Sequence, residues 1–504
     1  MRAFIAVGVC RPWGGWSCAV GLNVLRAFIS ALISGLHSVI SGVHRVTTKR
    51  TRDMASLLCG GRFIGRLGSG VLALVLVIRA VGAPESAGAE GRLSWPVRTG
   101  PNLDGNVAKE DADGFPTEWD GTSGKNIHWK LPLEGFGHSV PIVGHGKIWL
   151  TAASADGSQQ FVYGIDEANG EIIHHRVVFE NSAPEPLGNE INTYASPSCV
   201  LDDNSVYVHF GSYGTACLNP ETAETVWQRR DIQCRHFRGP GSSPILHDNL
   251  LILTFDGIDA QFLTALDKHT GSTVWRTERT TEYGDEDDAG RPKRDGDMRK
   301  AFSTPGVITV DGRTQLVSIG SRAAFGYDAV TGEELWKVRH DDFNASCPPA
   351  FFQNTAILCT GTRSSNLMAV RLDSTTRGDV SKTHVVWDRV TGNSDLAAPV
   401  LYGDRLFMVT STGVAVCVNV QTGEEVWKDR IAGTHTASPL IANGIVYFFS
   451  EEGDTTLVRA ADRFEILAKN HVNEIIRASP GAGSGRLYLR TLTHLYSIGH
   501  ATAD

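Results

Sequence analysis

Residues 397–429 read AAPVLYGDRLFMVTSTGVAVCVNVQTGEEVWKD. Pro399 opens a short apolar run that breaks at Gly403-Asp404. A second run follows over 406–409 and breaks at Thr412-Gly413. A third covers 414–418, and a turn from Asn419 to Gly423 leads into a last run ending on Trp427. Short runs of β-branched and aromatic residues, bounded by Gly, Asp and Asn, are the signature of strands joined by hairpins. The Asn419 side chain can cap turn amides and Gly423 accepts positive φ, so the Asn-x-x-Thr-Gly step predicts a tight antiparallel connection.

The same order recurs along the chain. Residues 303–338 read STPGVITVDGRTQLVSIGSRAAFGYDAVTGEELWKV, and 242–277 open with SSPILHDNLLILTFDG and close with LTALDKHTGSTVWRT. Eight prolines mark the starts of such units: Pro141, Pro197, Pro244, Pro305, Pro348, Pro399, Pro439 and Pro480, at intervals of 40 to 61 residues. That period fits a four-stranded propeller blade. Trp129, Trp227, Trp275, Trp336, Trp387 and Trp427 end the outer run, where a large flat ring fills the wedge between twisted sheets. His174 takes this place in one unit, and DRFEILAKN replaces the motif in the seventh. NIHWKLPL precedes the first proline, whereas GRLYLR and HLYSIG after Pro480 lack a Trp strand. The expectation is an all-β, eight-bladed propeller whose last blade is completed by the strand around Trp129, which closes the ring and removes exposed sheet edges.

Composition agrees. The chain has 504 residues, 41% hydrophobic and 20% charged, enough for a large core and too little charge for a disordered protein. Gly 54 against Pro 20 implies many tight turns. Formal charge is -8, and residues 90–504 hold 37 basic against 53 acidic side chains, a net of -16, so nucleic acid is not an expected partner. From Met54, Arg62 and Arg66 precede the apolar stretch 71–78, and Ala87, Gly88 and Ala89 follow it, the order of a secretory signal cleaved after Ala89. The expected organisation is a 1–89 extension and signal with the true start at Met54, an extended lead-in over 90–119, and the propeller over 120–504. The protein is expected to be exported, to the periplasm, the cell envelope or the exterior, and monomeric; membrane association would come only through a retained N-terminal anchor. Cys10, Cys18 and Cys59 fall in the removed part. Cys199, Cys217, Cys234, Cys347, Cys359 and Cys417 allow fifteen pairings and fix none; Cys217 and Cys417 sit in apolar runs as small buried hydrophobes.

These repeats resemble the quinoprotein-like, or pyrroloquinoline-quinone (PQQ)-repeat, β-propeller family, whose blades carry A-x-D-x-x-T-G-x-x-x-W. The motif maps onto Asp267, Thr270, Gly271 and Trp275, onto Asp328, Thr331, Gly332 and Trp336, and onto Asn419, Thr422, Gly423 and Trp427. The resemblance covers residues 120–504, and WPVRTGPNLDGN at 95–106 looks like secreted bacterial members. It implies two functions. Some relatives are quinone-dependent dehydrogenases of alcohols or sugars; others, such as the outer-membrane assembly lipoprotein, hold no cofactor, so the fold alone confers no activity.

In a propeller the connections entering each innermost strand approach the axis at one face, and here they are polar. They supply His138 in the first unit, Asn192 and Tyr194 in the second, and His236 and Arg238 in the third. Lys300 comes from the fourth, Asp341 and Asn344 from the fifth, and Asn393 and Asp395 from the sixth. His435 stands in the seventh, Asn473 and Glu474 in the eighth. A convergent polar ring at a funnel mouth is the expected ligand site, and His236 and His435 titrate in the range of an acid or base. A quinone enzyme would add Ca²⁺ held by carboxylate and amide oxygens, an Asp base, and Arg or Lys beside the quinone. Asp341, Asn344, Asn393, Asp395 and Arg238 have that chemistry but follow no calcium motif, and the vicinal disulfide and haem extension of the alcohol-dehydrogenase branch are missing. The insertion 278–302, with Asp285 to Asp288 amid five basic residues, reads as a mobile, solvated excursion over one side of the mouth. No P-loop, HExxH or nucleophile elbow occurs. The reading is a binding or assembly platform for protein or polysaccharide that needs no cofactor; the alternative is a PQQ- and Ca²⁺-dependent dehydrogenase.

Overall fold

The computed structural model describes residues 92–500 apart from 190, 363–365 and 391, all within one compact unit spanning Ser86–Asp504. The signal and start-site expectations for 1–89 lie outside the described residues. Eight mostly antiparallel sheets follow one another along the chain, each blade beginning on an innermost strand near one of the prolines. Blade one starts at Ile142–Gly144 and ends at Ile172–Glu180; blade six runs from Val400–Tyr402 to Glu425–Arg430. Ring closure is as expected. Ile127–Pro132 pairs with the C-terminal strand His494–Ile498, Trp129 opposite Ser497 and Leu131 opposite Leu495, and supplies the fourth strand of blade eight.

The hairpin chemistry is visible in the turns. Asp267 Oδ1 accepts the N–H groups of His269 at 3.0 Å and Thr270 at 2.8 Å, and Gly271 follows at φ 72°. A second reason for that glycine comes from the next sheet. A Cβ there would lie 2.7 Å from the Trp227 ring of the preceding blade. Trp227 Nε1 donates to Lys268 O at 2.8 Å, and Trp387 and Trp427 make the same bond to Val420 O and Ala461 O of their following blades. Trp227, Trp387 and Trp427 therefore join blades both by packing and by a directed hydrogen bond, whereas Trp129 and Trp275 pack on Gly170 and Gly332 of their following blades without an acceptor for Nε1 among the described residues. Trp336 departs from this pattern. Its next blade has Arg377 where the turn glycine would stand, so the ring turns inward over Gly326 and donates to Gln315 Oε1 at 2.9 Å. The strand Gly378–Asp379 pairs alongside it.

A second set of blade links rings the axis. Backbone N–H groups of Val140, Ser198, Ser243, Ala398 and Ser438 donate to the hydroxyls of Ser198, Ser243, Thr304, Ser438 and Ser479 in the following blade, each at 2.9 Å. One small hydroxyl residue beside the entry proline thus satisfies a buried amide of its neighbour. At the seam of blades eight and one, Arg490 Nη1 donates to Ser139 Oγ at 2.6 Å instead.

The lead-in is part of the core. Leu93–Trp95 pairs with the inner edge of blade one, and Pro96 O accepts Leu201 N–H of blade two at 3.0 Å. Gly105 O accepts Ile441 N–H at 2.9 Å, and Val107 N–H donates to Ile441 O at 2.8 Å, in blade seven. Asn106 Nδ2 donates to Leu401 O of blade six at 2.8 Å. Residues 95–107 therefore cross the propeller axis, against the entry prolines of blades three to eight. Phe115 and Trp119 then pack against Tyr447 on the way to the closing strand.

All six described cysteines are buried and free of disulfides. Burial pushes the Cys199 and Cys417 thiols up to about 12, and the thiolate is the reactive form. Ellman's reagent is expected to find none of these six thiols in the native protein and all six after denaturation; rapid native reaction would contradict this packing.

Candidate functional site

The face opposite the Asp-x-x-Thr-Gly turns carries the polar connections, and the structure sorts their residues into three groups. The first is structural. Asn192 Nδ2 donates to Pro240 O at 3.1 Å, Tyr194 OH donates to Glu185 O at 3.0 Å, and both Asp395 carboxylate oxygens accept from Ser411. Asn393 is buried and donates to Arg389 O at 2.6 Å. Asn473 is exposed and donates to Thr122 Oγ1 at 2.8 Å. Ser212 N–H donates to His236 Nε2 at 3.0 Å, which leaves the ring proton on Nδ1, and burial holds the imidazole at about 4. His435 is buried against Ala432 O, and burial lowers its pKa. Both histidines are neutral structural groups at physiological pH.

Glu474 turns to the ring seam. Its carboxylate takes Lys130 Nζ of the closing strand at 2.6 Å, with Thr491 and Thr493 hydroxyls, His494 Nδ1 and Tyr496 OH at 2.5 to 3.0 Å. Burial favours its protonated form, but Lys130 and the hydroxyl donors outweigh that and hold the carboxyl at about 2. The folded pKa lies below the unfolded one, so the stabilisation is complete above roughly pH 4.5 and lost as pH falls toward 2. Glu474→Gln is expected to remove about 1–2 kcal/mol at pH 7, the shift being discounted for the solvent that reaches Lys130, and to flatten the acid limb of the stability profile in urea titrations between pH 5 and 2. An unchanged limb would show that Glu474 does not clasp the seam.

The second group converges. Arg238 binds Asp297 bidentately, Nε to Oδ1 at 2.9 Å and Nη2 to Oδ2 at 2.7 Å. Lys300, whose side chain is fully buried, donates to Asp297 O at 2.9 Å, to Asp297 Oδ1, and to Asn344 Oδ1 at 3.3 Å. The Arg238 guanidinium, against the effect of burial, holds Asp297 at about 2, while burial lowers the Lys300 pKa against the pull of Asp297. Arg238 and Lys300 are thus joined by Asp297, which the pattern of the insertion concealed, and Lys300 brings in Asn344. The signal was Gly296, which stands at φ 83° where a Cβ would meet Ile258 O at 2.3 Å. The insertion is correspondingly anchored rather than a free excursion: Arg299 Nη2 donates to buried Asp285 at 2.6 Å.

The third group is His138 and Asp341. His138 makes no hydrogen bond among the described residues; burial, then the charges of Arg490 and Arg477, hold it at about 3, hence neutral. The Asp341 side chain is exposed, without an ion pair among the described residues.

This donor set does not fit a calcium-assisted quinone. The carboxylates of Asp297, Asp395 and Glu474 are engaged by other side chains, and Lys300 occupies the Asn344 amide oxygen. No cluster of three or more His, Cys, Asp or Glu side chains suited to a metal occurs among the described residues, and no helix there is long and apolar enough to cross a membrane.

A family model described as outer membrane protein assembly factor BamB matches residues 85–258 and 259–473. The chain belongs to this PQQ-repeat family. Among solved structures, the PQQ-repeat propeller is similar to BamB from Moraxella catarrhalis, at 12% identity and TM-score 0.51 over 74% of this chain and 99% of that one. It is also similar to the quinohemoprotein alcohol dehydrogenase from Comamonas testosteroni, at 12% identity and TM-score 0.59 over 83% and 82%. A europium-containing methanol dehydrogenase aligns at 10% identity and TM-score 0.54 over 76% and 96%. These likenesses show the fold, which assembly factors and quinone enzymes share. No curated protein matches the sequence.

Proposed function

We propose that this PQQ-repeat propeller is an exported, envelope-located binding platform that recognises a protein partner on its polar face. The observation that carries the reading is the use of the axis: the chain's own residues 95–107 cross it, and the mouth cations Arg238 and Lys300 are both engaged internally by the one carboxylate of Asp297. What remains for a ligand is the loop surface above, including exposed Asp341 and Ile475. A rigid ring presenting loops suits recognition without a covalent step. The matching family model, described as an assembly factor, supports the same direction.

A second reading, quinone-dependent oxidation of an alcohol or sugar, draws on the fold shared with the dehydrogenases, one of which gives the higher TM-score of 0.59, and on the free carboxylate of Asp341 as a base. One experiment separates the readings. Photo-crosslinkers at 341 and 475 are expected to capture a discrete protein from the envelope fraction, and the chain incubated with PQQ and Ca²⁺ is expected to take up no quinone and to reduce no dye. Stoichiometric quinone uptake with dye-linked alcohol or sugar oxidation would overturn the platform reading, and capture of polysaccharide alone would change the partner class.

A further inference from the structure

Arg98 lies where the lead-in crosses the axis, and the small hollows around it are lined by entry prolines of blades three to eight. Its surroundings contain donors in excess. The guanidinium makes no hydrogen bond and no ion pair among the described residues, and its Nη1 is buried without an acceptor. An arginine carries five N–H donors and stays charged, and although Arg98 as a whole is half-buried, leaving its Nη1 unmet in the interior is costly. Ser438 and Ser479 line one hollow with Arg98, and Thr304 lines the adjoining one, which Arg98 also borders. Each of their hydroxyl oxygens already accepts a backbone N–H from the preceding blade, and none of these O–H groups has an acceptor among the described residues. The belt that joins the blades thereby leaves its protons for something on the axis. The one carboxylate lining the hollow, Asp104, accepts Asn106 N–H at 2.9 Å and forms no ion pair with Arg98.

We propose that the axial hollow at Arg98 binds a small inorganic monoanion of the halide class, held by the guanidinium and the hydroxyls of the blade belt. A water would meet some donors but leave the charge uncompensated. A halide does both, and the enclosing prolines favour a single ion over a chain segment or a phosphate. Anion binding then couples the lead-in to the ring, because one ion is shared by Arg98 and blades seven and eight.

The test uses the mature exported chain. Thermal unfolding is followed as chloride replaces gluconate at constant ionic strength, with an expected saturating rise in Tm of about 2 °C. Arg98→Met should abolish the increment while keeping the β circular-dichroism spectrum. Should that variant fail to fold, crystals of the unaltered protein grown in bromide decide, with an anomalous peak expected against the Arg98 guanidinium. No chloride dependence, an equal increment in Arg98→Met, or axial density without anomalous signal would overturn the proposal. The outcome is independent of partner capture and of quinone uptake.

Discussion

Arg279→Met is expected to destabilise the protein by about 3–5 kcal/mol, the loss typical of stranding one member of a buried ion pair. Arg279 donates Nε to Asp256 Oδ1 at 2.6 Å and Nη2 to Oδ2 at 2.7 Å, and the two side chains are 0% and 1% exposed. Nη2 also reaches Ser318 Oγ of blade four at 2.9 Å, and the guanidinium lies 5.2 Å from the Phe325 ring centroid. The pair therefore ties the ends of blade three to its neighbour. Removing the cation leaves a carboxylate in a site that water cannot enter. The double variant Arg279→Met with Asp256→Asn should recover much of the loss, because the unpaired charge goes with it. Equilibrium unfolding in urea measures both. A single variant within about 1 kcal/mol of the unaltered protein would mean that the pair is solvated.

Loss of the closing strand should act on assembly as well as stability. A chain beginning at Glu134 lacks Ile127–Pro132, so His494–Ile498 becomes an open edge, and Glu474 loses Lys130. It also lacks Trp119 and Phe115 beside Tyr447, and the Trp129 ring that packs on Gly170 of blade one. An unpaired edge is a template for another chain. Light scattering is expected to show oligomers in place of a monomer, with loss of a single cooperative thermal transition. A monodisperse, cooperatively folding product would show that the ring does not depend on this strand.

The blades were legible because their determinants are local. Asp267, Gly271 and Trp275 lie within a few residues of one another, and even the degenerate His174 unit kept its period; it now stacks on Trp149 at 5.8 Å. The closing strand was legible from what the last unit lacked. The site was less so, since the sequence shows which polar residues face the mouth but not which partners they find across a gap of dozens of positions. Arg238 and Asp297 are 59 residues apart, and Glu474 meets Lys130 across the entire propeller. The blade belt was hidden for a different reason. A serine before a proline is common, and only the ring geometry brings Ser438 to the amide of Ala398. Residues 90–119 read as an extended lead-in because they lack alternation, yet their hydrogen bonds go to strands far along the chain.

Hydrogen exchange across 95–107 tests the filled axis most directly. Val107 N–H and Ile441 N–H are engaged between the lead-in and blade seven, so peptides spanning both should be protected as strongly as the interior strand Ile445–Phe449. Exchange of 95–107 on the timescale of an exposed loop, with the blades still protected, would show an open axis and remove the main support for a platform that works by its outer face.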